Sequence, residues 1–345
     1  MKIILTVALK GTDPIVVYNN DITDKVVLWH QDTLTQELFN QLIERHGRPD
    51  ILVNSAHPIF DSQGIEYYYW PDDINTLVDP LVNQSQIHDY PTEYCFNFAI
   101  NKNTLNRYLL LKLVEWYKLT SYDYTWNGKS PSFNLQELLP EFDTLSADAV
   151  GDVSDFKFHV SSPITTIQSK FFESDSDVDP RTIRECLVMW DYKLKEIFGK
   201  SAVSLISEPS GVEKTINFTE KTLFSMQALT FPIWVGGHKQ AELWEQHGFD
   251  TFNDVIDHSY QYYETTLERC IYAFKNNLQI LTDLDFARTQ RDKHMDRLLH
   301  NRKIMLPNLQ QMFYKCFRKM PIELQQSLKD MLEKEGVKYP LYNIL

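Results

Sequence analysis

Apolar and polar positions follow two different periods along the first ninety residues of the chain. Short β-branched runs at 2–9, 25–29 and 50–54, each bounded by turn residues, predict strands. Between the last two runs, residues 34–45 carry leucine and isoleucine at helical spacing, which predicts an amphipathic helix. Strands that alternate with a helix are typical of a parallel sheet, so we expect a small α/β domain over residues 1–92.

The same alternation resumes after a linker-like segment at 88–91. Strands are expected at 95–100, 202–207 and 231–235, and helices at 105–118, 219–228, 238–247 and 264–282. These elements predict a second α/β domain over residues 93–285. Residues 286–345 are predicted to be a helical C-terminal segment, broken at Pro307 and Pro321.

Composition narrows the class of protein. The chain has 345 residues, of which 43% are hydrophobic and 13% aromatic, so it can build two domains with apolar cores. No apolar run approaches the roughly 20 residues that a membrane helix needs, so no membrane partner is expected. The four cysteines have no CxxC spacing, and in a reducing compartment they are most simply buried thiols. Asn217-Phe218-Thr219 would be a glycosylation sequon in a secreted protein, but it falls inside the charged motif described below, which predicts a cytoplasmic protein.

Charge is distributed unevenly along the chain. Between Arg288 and Lys319 there are nine Lys or Arg and two Asp, a charge of +7 in a chain whose total is −13. Such a segment favours contact with a polyanion such as nucleic acid, but it also fits a solvated helix face. The residues predicted to bind nucleic acid are Arg288, Arg291, Lys293, Arg297, Arg302 and Lys303.

Charged residues and glycines mark the ends of two predicted strands and the start of a predicted helix. They are Glu208 after the strand 202–207, Thr219, Glu220 and Lys221 at the start of the next helix, and Gly236 and Gly237 after the strand 231–235. Ligands of open α/β sheets bind at the carboxyl ends of strands. A carboxylate suits ribose hydroxyls, and a lysine with bare backbone N–H groups suits phosphates. Helix capping alone would explain Thr219 and Glu220, but not Glu208 or the glycine pair.

Asn101 and Arg107 lie at the predicted turn between a strand and a helix. An arginine in the first turn of such a helix can reach a diphosphate, although this spacing alone favours an arginine on the solvent face of an amphipathic helix. The alternating aspartates at 175–179 suit a divalent cation, but their flanking residues favour an acidic loop, so no metal site is expected.

The first domain offers acidic residues after its last strands. Asp61 and Glu66 are the candidates for a catalytic general base, and each also fits an ordinary loop position. The chain has no P-loop, GxGxxG, HExxH or GxSxG motif. These absences argue against NTPases, dinucleotide dehydrogenases, zinc proteases and serine hydrolases.

At these residues the chain resembles the α1,3-fucosyltransferase-like family of glycosyltransferases and its uncharacterised relatives in tailed phages and large viruses. The segments 203–208, 218–222 and 231–237 are similar to that family's donor-site signature: a strand ending in Glu, then Thr-Glu-Lys, then Pro-Ile and Gly. Upstream, residues 98–108 are similar to its strand–Asn–helix–Arg element. The resemblance covers about residues 93–280.

The resemblance implies an α/β fold of the GT-B type, in which two Rossmann-like domains face a cleft. It implies that the second domain binds a nucleotide sugar, a UDP- or GDP-sugar, with no other cofactor and no essential metal. Arg107 and Lys221 would face the diphosphate, Glu220 the ribose, and Glu208 the sugar or a neighbouring backbone. The donor site so implied comprises Asn101, Arg107, Glu208, Thr219, Glu220, Lys221, Gly236 and Gly237. The first domain carries no part of the resemblance, so acceptor and base are not implied.

The leading hypothesis is therefore a glycosyltransferase that moves a sugar from a nucleotide sugar to a hydroxyl. The basic segment and the viral relatives suggest a hydroxymethylated pyrimidine in viral DNA, which would have to be flipped out of the duplex. A glycan or protein hydroxyl is the second acceptor hypothesis. A non-catalytic nucleotide-binding module is the hypothesis from another class.

Overall fold

The structure is a computed structural model that describes residues 1–6, 14–30, 34, 36–54, 64–70, 81–83, 90–100, 105–126, 190, 194–208 and 218–334. Contacts divide the chain into two compact units. Unit 1 comprises Met1–Asp79, Thr215–Phe218 and Leu306–Leu345, and unit 2 comprises Pro80–Lys214 and Thr219–Met305. None of the helices in the described ranges is long and apolar enough to cross a membrane.

In chain order the elements are β1 (Lys2–Thr6), β2 (Pro14–Asn19), β3 (Val26–His30), α1 (Gln36–His46), β4 (Ile51–Asn54), β5 (Glu66–Tyr69), β6 (Tyr94–Ile100), α2 (Leu105–Trp116), β7 (Tyr122–Trp126), α3 (Lys195–Gly199), β8 (Ser201–Ile206), α4 (Glu220–Gln227), β9 (Phe231–Trp234), α5 (Gln240–Gln246), a 3₁₀ turn (Ser259–Tyr262), α6 (Thr266–Lys275), α7 (Leu278–Thr282), α8 (Leu284–Lys293), α9 (Met295–Lys319) and α10 (Ile322–Lys334). The predicted α/β class with a helical C-terminus is confirmed.

Unit 1 is built on a mixed five-stranded sheet in the order β2-β1-β3-β4-β5. Strand β2 pairs antiparallel with β1, and the other pairs are parallel. Helix α1 buries Phe39 and Leu42 in one core with Leu28 of β3 and Leu52 of β4. The strand β2 was not predicted, and its starting proline fits an edge strand, where one side needs no ladder hydrogen bonds.

Contacts assign residues 286–305 to unit 2 and residues 306–345 to unit 1. Within unit 1, Phe313 and Phe317 of α9 pack against Trp70, each with ring centroids 6.3 Å apart. Helix α9 also continues through Pro307, where a break was predicted. Its neighbours Met305 and Leu309 are fully buried, and such burial offsets the roughly 3 kcal/mol that an interior proline costs.

Unit 2 has a four-stranded sheet in the order β7-β6-β8-β9, and every pair is parallel. Strand β7 lies on one side of β6, whereas β8 and β9 follow on the other side. The strand order therefore reverses between β6 and β8, which makes a topological switch point at the carboxyl ends of these two strands. Leu109 of α2 and Ile271 of α6 share the core with Val203 of β8.

Two elements of unit 2 differ from the sequence predictions. Strand β7 was not predicted. It pairs with β6, and the ring of Tyr124 stacks on Phe98 at 5.0 Å. The single helix predicted over 264–282 is two helices, α6 and α7. Between them, Asn277 exchanges hydrogen bonds with the backbone of Asp257, accepting at 2.9 Å and donating at 3.1 Å, and this contact holds the break.

Candidate functional site

Helix α2 begins next to the carboxyl end of β8 and binds it through two side chains. Asn106 Nδ2 donates to the Glu208 carbonyl at 2.7 Å, and Arg107 Nε donates to the Ser207 carbonyl at 3.1 Å. Both side chains are buried. They connect the start of α2 to the end of β8 across the switch point.

The buried Glu208 carboxylate holds the start of α4. It accepts hydrogen bonds from the Thr219 backbone N–H at 3.0 Å, the Thr219 hydroxyl at 2.5 Å and the Thr222 hydroxyl at 3.0 Å. Burial raises the pKa of the Glu208 carboxyl above its ordinary value, although the charge of Lys221 and the Thr219 hydrogen bonds oppose the rise. Because both oxygens have protein donors, Glu208 acts here as a positioning residue.

The start of α4 leaves little backbone for an anion. Thr219 caps the helix, its side chain accepts from the Lys221 N–H, and its own N–H donates to Glu208. The sequence had suggested bare N–H groups at this point for phosphates. Since these two amides bond inside the protein, an anion at this end of α4 would be held by side chains instead.

Glu220 and Lys221 form a hydrogen-bonded ion pair at the edge of this cluster. The Glu220 side chain is 24% exposed and the Lys221 side chain 8%. Burial by itself raises the pKa of Glu220, but the charge and hydrogen bond of Lys221, with a further contribution from Arg107, outweigh it and lower the pKa below its ordinary value. Adjacent residues on a helix seldom face each other. The ion pair therefore means that the long side chains of Glu220 and Lys221 both bend toward the same place.

The first glycine after β9 is explained by packing. Gly236 has φ +78°, and a Cβ there would lie 3.1 Å from Cys270 Sγ and 3.2 Å from Asn106 Cβ. The buried Arg269 of α6 donates to the Gly236 carbonyl at 2.9 Å and to the Tyr263 carbonyl at 3.0 Å. The end of β9 is thereby fixed beside the first turn of α2.

The structure brings most of the predicted donor-site residues together within unit 2. Arg107, Glu208, Thr219, Glu220 and Lys221 form one cluster, and Gly236 lies against Asn106, whereas Asn101 lies outside the described residues. Sequence reasoning missed Asn106, Ser207, Thr222 and Arg269. Asn106 could have been found as the neighbour of Arg107. Arg269 gave no signal, because a single arginine in an amphipathic helix is ordinarily solvated.

No protein-family model matches this chain, and no curated protein matches it. The resemblance to the α1,3-fucosyltransferase-like family stays a prediction. The chemistry of the cluster follows from its charges: two cations and one partly exposed carboxylate lie at the carboxyl edge of a parallel sheet. Such a set can bind a phosphorylated ligand that also carries hydroxyl groups.

Of the two base candidates, only Glu66 lies in the part of the chain that the structure describes, where it belongs to unit 1. Asp61 lies outside the described residues. Glu66 is exposed on β5 and accepts a hydrogen bond from the Tyr68 hydroxyl. Across the described residues, no three His, Cys, Asp or Glu side chains are placed to hold a metal ion.

A small cavity lies under α4 in unit 2. Its volume is about 10 Å³, and Thr222, Ser225 and Thr230 are among its lining residues. This is room for about one water molecule with polar partners. The cavity is therefore too small for a nucleotide.

Three arginines of the basic segment are engaged inside unit 2. Arg291 is buried and donates to the carbonyls of Leu229 and Ala228 at 3.0 and 3.1 Å. Arg297 forms a bidentate pair with Asp250 at 2.6 and 2.9 Å. Arg288 donates twice to the Thr92 carbonyl, at 3.2 and 3.0 Å. These three side chains therefore serve contacts inside unit 2, a role that neither of the two sequence-based interpretations had predicted.

The other predicted nucleic-acid contacts lie nearer the surface. Lys293 and Lys303 are exposed. Arg302 is half-buried, and burial lowers the pKa of its guanidinium. The positive surface available to a polyanion is therefore smaller than the +7 of the sequence suggests.

Proposed function

We propose that this protein is a glycosyltransferase that moves a sugar from a nucleotide-sugar donor to an acceptor hydroxyl. The observation that carries the proposal is the convergence of Arg107, Glu220 and Lys221 beside the switch point of a parallel sheet. Their charges match a diphosphate next to a ribose. The sequence resemblance in segments 203–208, 218–222 and 231–237 supports a sugar as the transferred group.

In this proposal, Lys221 and Arg107 face the diphosphate, which gains negative charge as the bond to the sugar breaks. Glu220 accepts hydrogen bonds from ribose hydroxyls. Glu208 does not touch the ligand and holds Thr219 and Thr222 in place. When the ligand binds, the Glu220–Lys221 ion pair is replaced by two contacts, from Glu220 to the ribose hydroxyls and from Lys221 to the phosphate. Neither charged side chain is therefore left without a partner.

The acceptor hydroxyl needs a general base, which the proposal draws from unit 1. Asp61 and Glu66 remain the candidates. The GT-B arrangement, in which two Rossmann-like domains face a cleft, is part of the same proposal, because the base is drawn from unit 1 and the donor site from unit 2.

The test measures binding of UDP- and GDP-sugars by calorimetry, after a thermal-shift screen to choose the donor. Glu220→Gln is expected to weaken binding about tenfold or more, because a hydrogen bond to a charged group is lost. Glu242→Gln is the matched control, since Glu242 lies in the first turn of α5, outside the cluster. Unchanged donor affinity in Glu220→Gln would refute the assignment.

Catalysis is tested separately from binding. Incubation with the bound donor should release free nucleotide slowly even without an acceptor, because water can replace the acceptor hydroxyl. Binding without any such release would favour the non-catalytic module.

The acceptor is tested with duplex DNA at increasing salt. A DNA-modifying enzyme is expected to bind duplex at low salt and to lose affinity steeply as salt rises. Absence of binding at low salt would leave the glycan or protein hydroxyl as the acceptor.

A further inference from the structure

Ser207 directly follows β8, at the switch point, and its side chain is buried. Within the part of the chain that the structure describes, its Oγ has no hydrogen-bond partner. A buried hydroxyl in this state costs free energy unless a ligand or water bonds it. Ser204 shows the ordinary case: its Oγ lies 2.6 Å from Thr230 Oγ1 and accepts from Asn97 Nδ2 at 3.1 Å.

The direction of the Ser207 side chain follows from its neighbours. Ser204 contacts Thr230, and Glu208 contacts Thr219, so both project to the side of the sheet that carries α4. Val203 and Leu205 project to the other side, into the core shared with α2. Because side chains alternate along an extended chain, Ser207 also projects to the α2 side. The Ser207 carbonyl accepts a hydrogen bond from Arg107 of α2.

The start of α2 is favourable for an anion. The helix has twelve residues, and its first turn carries Arg107 and no acidic residue. The positive end of its dipole therefore adds to the charge of the guanidinium. The start of α4 differs, because Glu220 lies in its first turn and two of its amides bond inside the protein.

We propose that Ser207 is a ligand-binding residue whose hydroxyl donates a hydrogen bond to a phosphoryl oxygen held at the start of α2 by Arg107. The inference rests on the proposed function for the identity of the ligand, since the phosphoryl group would belong to the nucleotide-sugar diphosphate. A hydroxyl that is already dry and fixed makes such a bond without a further desolvation cost.

The experiment compares Ser207→Ala with Ser204→Ala in the full chain. Inorganic pyrophosphate, UDP and a UDP- or GDP-sugar are the probes, and each variant is measured by calorimetry and by its Tm without ligand. Ser207→Ala is expected to keep or raise the Tm and to weaken pyrophosphate binding about tenfold. Ser204→Ala is expected to lower the Tm and to leave pyrophosphate binding unchanged.

The inference is overturned if Ser207→Ala binds pyrophosphate as wild type does, or if its Tm falls as far as that of Ser204→Ala. If Ser207→Ala loses pyrophosphate while wild type binds no nucleotide sugar, the phosphate contact stands and the proposed function fails. If wild type and Ser207→Ala bind the nucleotide sugar equally well, only the role of Ser207 fails. No binding of any probe to wild type overturns both.

Discussion

Replacing Glu208 by alanine should loosen α4, because three donors on Thr219 and Thr222 lose their acceptor. Each hydrogen bond to a charged group is worth about 1.5–3 kcal/mol. The substitution also removes a buried charge whose desolvation costs several kcal/mol, and losses within one network do not add. We therefore expect the free energy of local opening of α4 to fall by about 3 kcal/mol.

Hydrogen–deuterium exchange resolves this effect along the chain. A change of about 3 kcal/mol corresponds to roughly hundredfold faster exchange in peptides over α4. Peptides over β3 of unit 1 serve as the internal reference and should be unaffected. Glu208→Gln is the matched control, because it keeps one oxygen acceptor, and we expect about fivefold faster exchange.

Exchange in α4 of Glu208→Ala within about threefold of wild type would refute the reasoning. It would mean that the three hydrogen bonds do not hold the start of the helix. Glu208 would then return to the group of residues available to the ligand. Equal acceleration over α4 and β3 would instead show global destabilisation.

Two further substitutions test the electrostatics of unit 2. Because the pKa of Glu220 is lowered in the fold, its charge contributes stability above its ordinary pKa of 4.5, and this contribution is lost as the pH falls through the folded pKa. Glu220→Gln should therefore lose less Tm than wild type between about pH 5 and pH 3, and equal losses would contradict this. Arg291→Met removes the donor to the carbonyls of Ala228 and Leu229, so urea unfolding should show a loss of about 2–4 kcal/mol. The exposed Lys303→Met should change stability by less than about 0.5 kcal/mol, and similar values for the two would rule out an anchoring role for Arg291.

Local periodicity predicted most of the elements that surround the cluster. The strands β3, β4, β8 and β9 and the helices α1, α2 and α4 follow from it, because burial of one face imposes a fixed spacing on the apolar residues. Local periodicity did not predict strand β7. Its tyrosines pack on the aromatic rings of β6, and pairing of that kind depends on the partner strand. Local periodicity also did not predict the break between α6 and α7, because this break depends on hydrogen bonds between Asn277 and a residue twenty positions away.

The sequence by itself determined the α/β class, the helical C-terminus and the set of charged residues worth attention. Only the tertiary structure decided the partner of each charge. Arg107 and Arg291 look alike in the sequence, yet one lies at the switch point and the other holds two carbonyls in the core of unit 2. Asn106 meets Glu208 across 102 positions of the chain. Hydrogen bonds and desolvation act over a few ångströms, and distances of that size between remote segments are set by packing, which a local pattern does not encode.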